Sequence, residues 1–246
     1  MSSALHLIPF LDVTYLEEKT DPMALLGLCE SIKTAPSLAA AICVYTRDLA
    51  LVRKALAGYP LAFASVINFP KGNSARHEVQ AEIVEAIQRG ATELDVVAPY
   101  QQFLAGEEEE VRSFIVSCRR SIPREIKFKL ILETGEINHI GSFSLMACEN
   151  GVDFIKTSTG KVKQGASLEA TAKMLTAIKD YHQRTHQWVG LKVSGGVRSI
   201  VEAERYTEQA RELFGKDLTP SVFRIGASQL FRMLLEMSGQ DVASKI

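Results

Sequence analysis

The sequence predicts one domain, spanning 1–246, folded as a parallel (β/α)8 barrel with an extra N-terminal helix. Three observations carry this. Short apolar runs alternate with amphipathic segments from end to end, with no Pro-, Gly- or Ser-rich linker between them. Eight of the runs have strand length. Several are apolar throughout rather than alternating, the pattern of strands covered on both faces. A doubly wound open sheet is the competing arrangement, but no GxGxxG follows the first strand and the Gly-rich turns come late.

The first strand candidate is Leu7 to Val13. The extra helix, opened by Asp21 and Pro22, puts Leu25, Leu28, Cys29 and Ile32 on one face before the second strand, Ala40 to Tyr45. The third strand, Ala62 to Asn68, precedes a helix with Val79, Ile83, Ala86 and Ile87 on one face, stopped by Gly90. Glu93 to Val97 is the fourth strand. The next helix repeats the period at Val111, Phe114, Ile115, Cys118 and Ile122, and Glu107 to Glu110 form an acidic first turn that suits the helix dipole. Lys127 to Glu133 is the fifth strand and Val152 to Thr157 the sixth, with a short helix between Ile137 and Gly151. Ser167 is placed to cap the following helix. After the seventh strand, Val189 to Val193, Ser199 and Glu202 make a capping box before Ala203, Tyr206, Ala210 and Leu213. The eighth strand is Val222 to Gly226, and Ser228 is placed to cap the last helix.

The 28 Lys and Arg balance 29 Asp and Glu, so the chain offers no general attraction for nucleic acid or an anionic membrane. Cys29, Cys43, Cys118 and Cys148 are too scattered for a disulfide framework, which fits a reducing cytoplasm. The N-terminus lacks a basic region before its apolar stretch, and no apolar run approaches the length of a membrane span. A small-molecule partner is the expectation.

Four strands place a charge inside an apolar run: Asp12 in the first, Asp95 in the fourth, Lys156 in the sixth and Lys192 in the seventh. At the C-terminal end of a barrel, ionisable groups read as chemistry rather than stability. Structural ion pairs with Asp12 and Asp95 would explain the lysines too. Adjacent parallel strands lie about 4.8 Å apart, however, so the two ammonium groups feel each other, and repulsion and desolvation both depress a lysine pKa. A fall of roughly 3 units from about 10.4 leaves a substantial fraction of free amine at neutral pH. A free amine attacks aldehydes, and the resulting iminium serves as an electron sink for making or breaking an adjacent carbon-carbon bond. Asp95 then fits as a proton relay, a role compatible with holding Lys192.

Lys192 leads into Ser194, Gly195, Gly196 and a capped helix, and the last strand ends at Gly226 and Ser228 before another helix. Barrels place phosphates between such loops at a helix N-terminus. Thr157, Ser158, Thr159, Gly160 and Lys161 add hydroxyls, a glycine and a cation directly after the proposed nucleophile.

The chain resembles the deoxyribose-phosphate aldolase family of class I, Schiff-base aldolases over nearly its whole length. The stretches are Ala41 to Tyr45, Asn68 to Asn73, Glu93 to Val97, Glu133 to Glu136, Phe154 to Lys161, Lys192 to Arg198 and Arg224 to Ser228. The resemblance implies that Lys156 carries the Schiff base, Lys192 lowers its pKa and Asp95 takes part in proton relay. It implies reversible cleavage of 2-deoxy-D-ribose 5-phosphate to acetaldehyde and D-glyceraldehyde 3-phosphate, with no metal or organic cofactor, and a homodimer. Asp12, Thr14 and Lys161 look like substrate hydroxyl contacts in the same pattern. Val193-Ser194, Lys71 and Gln229 depart from the family's commoner residues, and the chain ends Ser244-Lys245-Ile246 where some members end in a tyrosine that assists proton transfer.

The rivals are a phosphosugar isomerase or decarboxylase without a covalent amine, and a silent barrel that binds a phosphorylated ligand. Lys156, Lys192 and Asp95 together argue against the silent barrel, since binding alone needs no proton machinery. A metal-dependent aldolase would need histidines converging at strand ends, whereas His6, His77, His139, His182 and His186 fall mostly on helices and loops. His182 and His186 share a helical spacing but read as solvated, and Cys43 reads as a small core residue.

Overall fold

The computed structural model describes residues 4–216 and 218–239. The terminal Ser244-Lys245-Ile246 lies outside the described residues. Eight parallel strands close into a barrel in chain order. They are β1 (Leu11–Tyr15), β2 (Ala41–Val44), β3 (Ala62–Ile67), β4 (Glu93–Val97), β5 (Lys127–Ile131), β6 (Phe154–Lys156), β7 (Gly190–Ser194) and β8 (Phe223–Ala227). The helices around them are α1 (Pro22–Thr34), α2 (Leu49–Ala55), α3 (Arg76–Gln88), α4 (Tyr100–Leu104), α5 (Glu108–Ser121), α6 (Ile140–Glu149), α7 (Leu168–Thr185), α8 (Ile200–Phe214) and α9 (Gln229–Met237).

One expected strand starts late. Ala4–Phe10 is a 3-10 helix, and the ladder begins only at Leu11, opposite Ile225 of β8. Pro9 has no N–H to give a ladder, so the run cannot extend as a strand. Its apolar side chains are buried all the same: Leu7 and Ile8 pack at the N-terminal end of the barrel near β8, α8 and α9, and the Phe10 and Phe223 rings lie 5.9 Å apart. The helix expected at Asp21 is present as α1, the helix of the first β/α unit; the surplus N-terminal element is this 3-10 segment.

Strand ends also shift for local reasons. β5 stops at Ile131 and β3 at Ile67, because Glu133 and Asn68 both adopt φ 56°, which no strand tolerates. Asp21 caps α1 by accepting from the amides of Met23 and Ala24, Ser167 caps α7 through Ala170, and Ser199 with Glu202 closes the capping box of α8. Ser228 is the exception. Its backbone is already in the helical region (φ −108°, ψ −52°) and its side chain makes no capping bond, so its hydroxyl is left for other partners.

The helix faces that the periodicity marks, such as Val79, Ile83 and Ala86 on α3, are buried against the outside of the strands. The inside of the barrel is different. Ion pairs run from Asp12 on β1 to Lys129 on β5, across the ring, so charged side chains fill the space that apolar layers fill in many barrels. No helix of the described residues is long and apolar enough to cross a membrane.

Candidate active site

Strand register sets the arrangement. Lys156 sits opposite Lys192, and Lys192 opposite Arg224, so three cationic side chains line up on β6, β7 and β8. Carboxylates from β1 and β4 meet them. Lys192 Nζ lies 2.5 Å from Asp12 Oδ2 and 2.6 Å from Asp95 Oδ2, and Lys156 Nζ donates to Asp95 Oδ2 at 2.8 Å. Beneath, Lys129 Nζ lies 3.1 Å from Asp12, 2.5 Å from Glu93 and 3.0 Å from Asp95, while Arg224 spans Asp12 at 2.7 Å and Glu93 at 3.1 Å. All seven groups are buried.

The cluster holds four cations, Lys129, Lys156, Lys192 and Arg224, against three carboxylates, Asp12, Glu93 and Asp95. A desolvated excess charge is costly, so one proton is the natural one to lose. Partner number decides which. Lys129 meets three carboxylates, Lys192 and Arg224 two each, and Lys156 one.

The direction of each pKa agrees. Burial, helped by the Lys192 ammonium and opposed by Asp95, holds the Lys156 amine below the ordinary lysine value. Burial acts on Lys192 and Lys129 as well, but their carboxylates outweigh it and both lie above that value. The same cations overcome burial at Asp12 and Asp95, which lie well below the usual carboxylate range. The mutual depression expected of the two lysines therefore applies to Lys156 alone, because Asp12 and Asp95 hold the Lys192 proton.

A cavity of about 620 Å3 opens at the C-terminal end of the strands. Of the seven charged groups only Lys156 lines it, together with Thr14, Thr159, Gly160, Lys161, Gly195, Gly196, Gly226 and Ser228. Nine of the twelve residues picked from the sequence thus surround one space, and Asp95, Asp12 and Lys192 lie under its floor. Both Asp12 oxygens are engaged by Lys129, Lys192 and Arg224 rather than turned to the cavity.

Other side chains are committed too. Thr14 donates to the Asp12 carbonyl, Thr159 to Glu133 Oε2 at 2.6 Å, and Lys161 Nζ to the Leu16 carbonyl at 2.9 Å across the mouth. Gly226 is where it is for a reason of space: a Cβ there would come within 2.9 Å of Ser194 Cβ and 3.1 Å of Lys192 Cε. Gly195 and Gly196 hold φ 86° and 91°, a turn that glycine adopts at no steric cost.

The sequence reading missed Lys129, Glu93 and Arg224 as members of the charge cluster, Glu133 as a buried carboxylate, and Lys19, Arg198 and Arg232 on the cavity rim. A signal existed for Lys129: in Lys127-Phe128-Lys129-Leu130 the two lysines alternate with apolar residues, and the second is fully buried. Cys43 is buried with its thiol 4.0 Å from Asp95, and burial raises its pKa. His182 stacks on Trp188 at 3.6 Å on the surface of α7, away from the cavity.

A closed parallel barrel with one lysine of lowered pKa facing its mouth is a framework able to carry amine chemistry, and comparison with known proteins gives the class: aldolase. Residues 16–216 match the family model described as DeoC/LacD family aldolase, and the chain belongs to that family. It is 38% identical over 226 residues to the deoxyribose-phosphate aldolase of Agrobacterium fabrum, covering 90% of this chain and 86% of that one. Among solved structures, deoxyribose phosphate aldolase from Aeropyrum pernix superposes with a TM-score of 0.75 at 21% identity, covering 98% of this chain and 94% of that one. An N-acetylmannosamine-6-phosphate 2-epimerase from Clostridium perfringens shares the fold more loosely, with a TM-score of 0.57 at 10% identity over 97% of this chain and 96% of that one. These two structural likenesses concern the fold alone.

Proposed function

We propose that the chain is a class I aldolase that reversibly cleaves 2-deoxy-D-ribose 5-phosphate to D-glyceraldehyde 3-phosphate and acetaldehyde. The observation that carries this is Lys156: the one member of the buried charge cluster that faces the cavity, and the one lysine there whose pKa is lowered. Family membership and the relative from Agrobacterium fabrum support the substrate.

In this reading the Lys156 amine adds to the C1 aldehyde of the open-chain sugar, and the carbinolamine loses water to give an iminium. Removal of the C3 hydroxyl proton breaks the C2–C3 bond, its electrons enter the iminium as an enamine, and glyceraldehyde 3-phosphate leaves. Protonation of the enamine carbon and hydrolysis then return acetaldehyde and the free amine. Lys192 is protonated at rest and keeps Lys156 neutral. Asp95 is ionised at rest, orients the amine through its 2.8 Å bond, faces the new cationic centre, and passes protons between Lys192 and the adduct. Gly195, Gly196, Ser228 and the first turn of α9 line the side of the cavity suited to the phosphate, with Arg198 and Arg232 adding positive charge. Thr14, Lys161, Thr159 and Gly160 face the sugar, and no cofactor or metal enters the scheme. The resemblance to the family supports a cytoplasmic homodimer, which sedimentation checks.

Intact-protein mass spectrometry after incubation with the sugar phosphate and borohydride tests the reading. The expected result is one adduct, mapped to Lys156 and absent in Lys156→Ala. A folded protein that binds the sugar phosphate yet forms no adduct would hand the site to a non-covalent isomerase.

A further inference from the structure

Glu133 is fully buried just beyond β5, at φ 56°, and has no part in the amine chemistry above. Its partners all come from two adjacent residues, Ser158 and Thr159. Oε1 accepts from the Ser158 hydroxyl at 2.5 Å and the Thr159 amide at 3.2 Å, and Oε2 accepts from the Thr159 hydroxyl at 2.6 Å. Each hydroxyl then accepts from an amide further on: Ser158 Oγ from Gly160 N at 3.2 Å, and Thr159 Oγ1 from Lys161 N at 3.1 Å. One carboxylate thus organises the backbone from Ser158 to Lys161. The segment begins two residues after Lys156 and ends in the ammonium that bridges to the Leu16 carbonyl.

We propose that Glu133 is a positioning residue of the active site, fixing the segment after β6 so that Lys156 and Lys161 face the same cavity from opposite ends of one rigid turn. A carboxylate fits this site without compromise. It offers an acceptor oxygen to each flank, whereas the amide of a glutamine would put a donor against one of the two hydroxyls and leave that hydroxyl's own proton without its acceptor. A strained backbone at a buried acceptor is also the kind of feature that persists when the surroundings hold it for a purpose. The claim rests on the aldolase reading for its substrate and concerns how that substrate is held, since Lys161 and Gly160 line the cavity while the amine's own partners, Asp95 and Lys192, do not touch Glu133.

The test compares Glu133→Gln and Ser158→Ala with the wild type in two assays: borohydride trapping of acetaldehyde alone, and KM and kcat for deoxyribose 5-phosphate. Ser158 is buried and does not line the cavity, so its loss reaches the substrate only through the turn. Loss of one charge-assisted hydrogen bond predicts a rise in KM of about tenfold or more for each variant, with the trapping rate of the small aldehyde within about threefold of wild type. An unchanged KM in both Glu133→Gln and Ser158→Ala overturns the proposal, as does an equal loss in KM and trapping in folded protein, which would make Glu133 merely structural. Absence of trapping in the wild type would instead sink the aldolase reading itself, so the two failures are distinguishable.

Discussion

At the scale of the residue, what separates Lys156 from its neighbours is the number of carboxylates it touches. Lys192 differs from it by one strand and one additional partner, Asp12, and that partner reverses the direction of its pKa. Replacing Lys192 by Leu removes the repulsion that helps to keep Lys156 neutral and leaves Asp12 and Asp95 in excess, so the Lys156 pKa should rise. Adduct formation at pH 7 is expected to fall by about tenfold for each unit of that rise and to recover as the pH is raised through the new value. A pH profile of borohydride trapping checks this; equal loss at every pH in folded protein would mean that Lys192 acts by contact with substrate. Asp12, Asp95, Lys156 and Lys192 were legible in the sequence because each interrupts an apolar run. Lys129 was not, since Lys127 and Lys129 share one face of the strand and look alike until the fold leaves the first exposed at the start of β5 and buries the second inside the barrel, and partner counts need the register of β5 against β4.

At the scale of the element, the alternation of strand and helix was legible throughout, and β4 has the predicted bounds at Glu93–Val97. What was not legible is where an apolar run changes conformation without changing polarity, as it does at Pro9, or where a strand is cut by one residue of positive φ, as it is before Glu133. Capping followed the sequence where the serine precedes the helix in extended backbone, at Ser167 and Ser199, and not at Ser228, where the turn is already helical. The end of β8 gives an element-level prediction. Gly226→Ala meets no backbone obstacle of positive φ but sets a methyl against Ser194 and the Lys192 arm. Overpacking of this kind costs about 1–3 kcal/mol. We expect a modest drop in the urea midpoint together with a loss of kcat of about 100-fold, because misplacement near 1 Å at a reacting group has that effect. A full loss of stability with normal specific activity in the folded fraction would contradict it.

At the scale of the whole molecule, a barrel with an ionised interior depends on pH differently from one filled with leucines. Asp12 and Asp95 have folded pKa values far below their unfolded ones, so between those limits the unfolded chain binds more protons and stability rises with pH. Their contribution is complete above about pH 4 and drains away as the pH falls below it. Lys156 acts in the same direction at higher pH, between its lowered value and the ordinary lysine value. Urea midpoints measured from pH 7 downward should therefore hold nearly steady and then drop steeply below about pH 4. A midpoint insensitive to acid would show that the cluster is not ionised as drawn.

The segment Ala4–Phe10, buried at the N-terminal end, bears on traffic through the site. With that end packed and the interior filled by charged side chains, the mouth is the doorway that reactants and both products share. In the proposed reaction the two-carbon fragment is still tethered to Lys156 at the back of the queue after bond cleavage, with the phosphorylated fragment between it and the exit. The water that frees acetaldehyde must come in by the same route, so the larger product leaves first, and in the reverse direction the smaller aldehyde enters first.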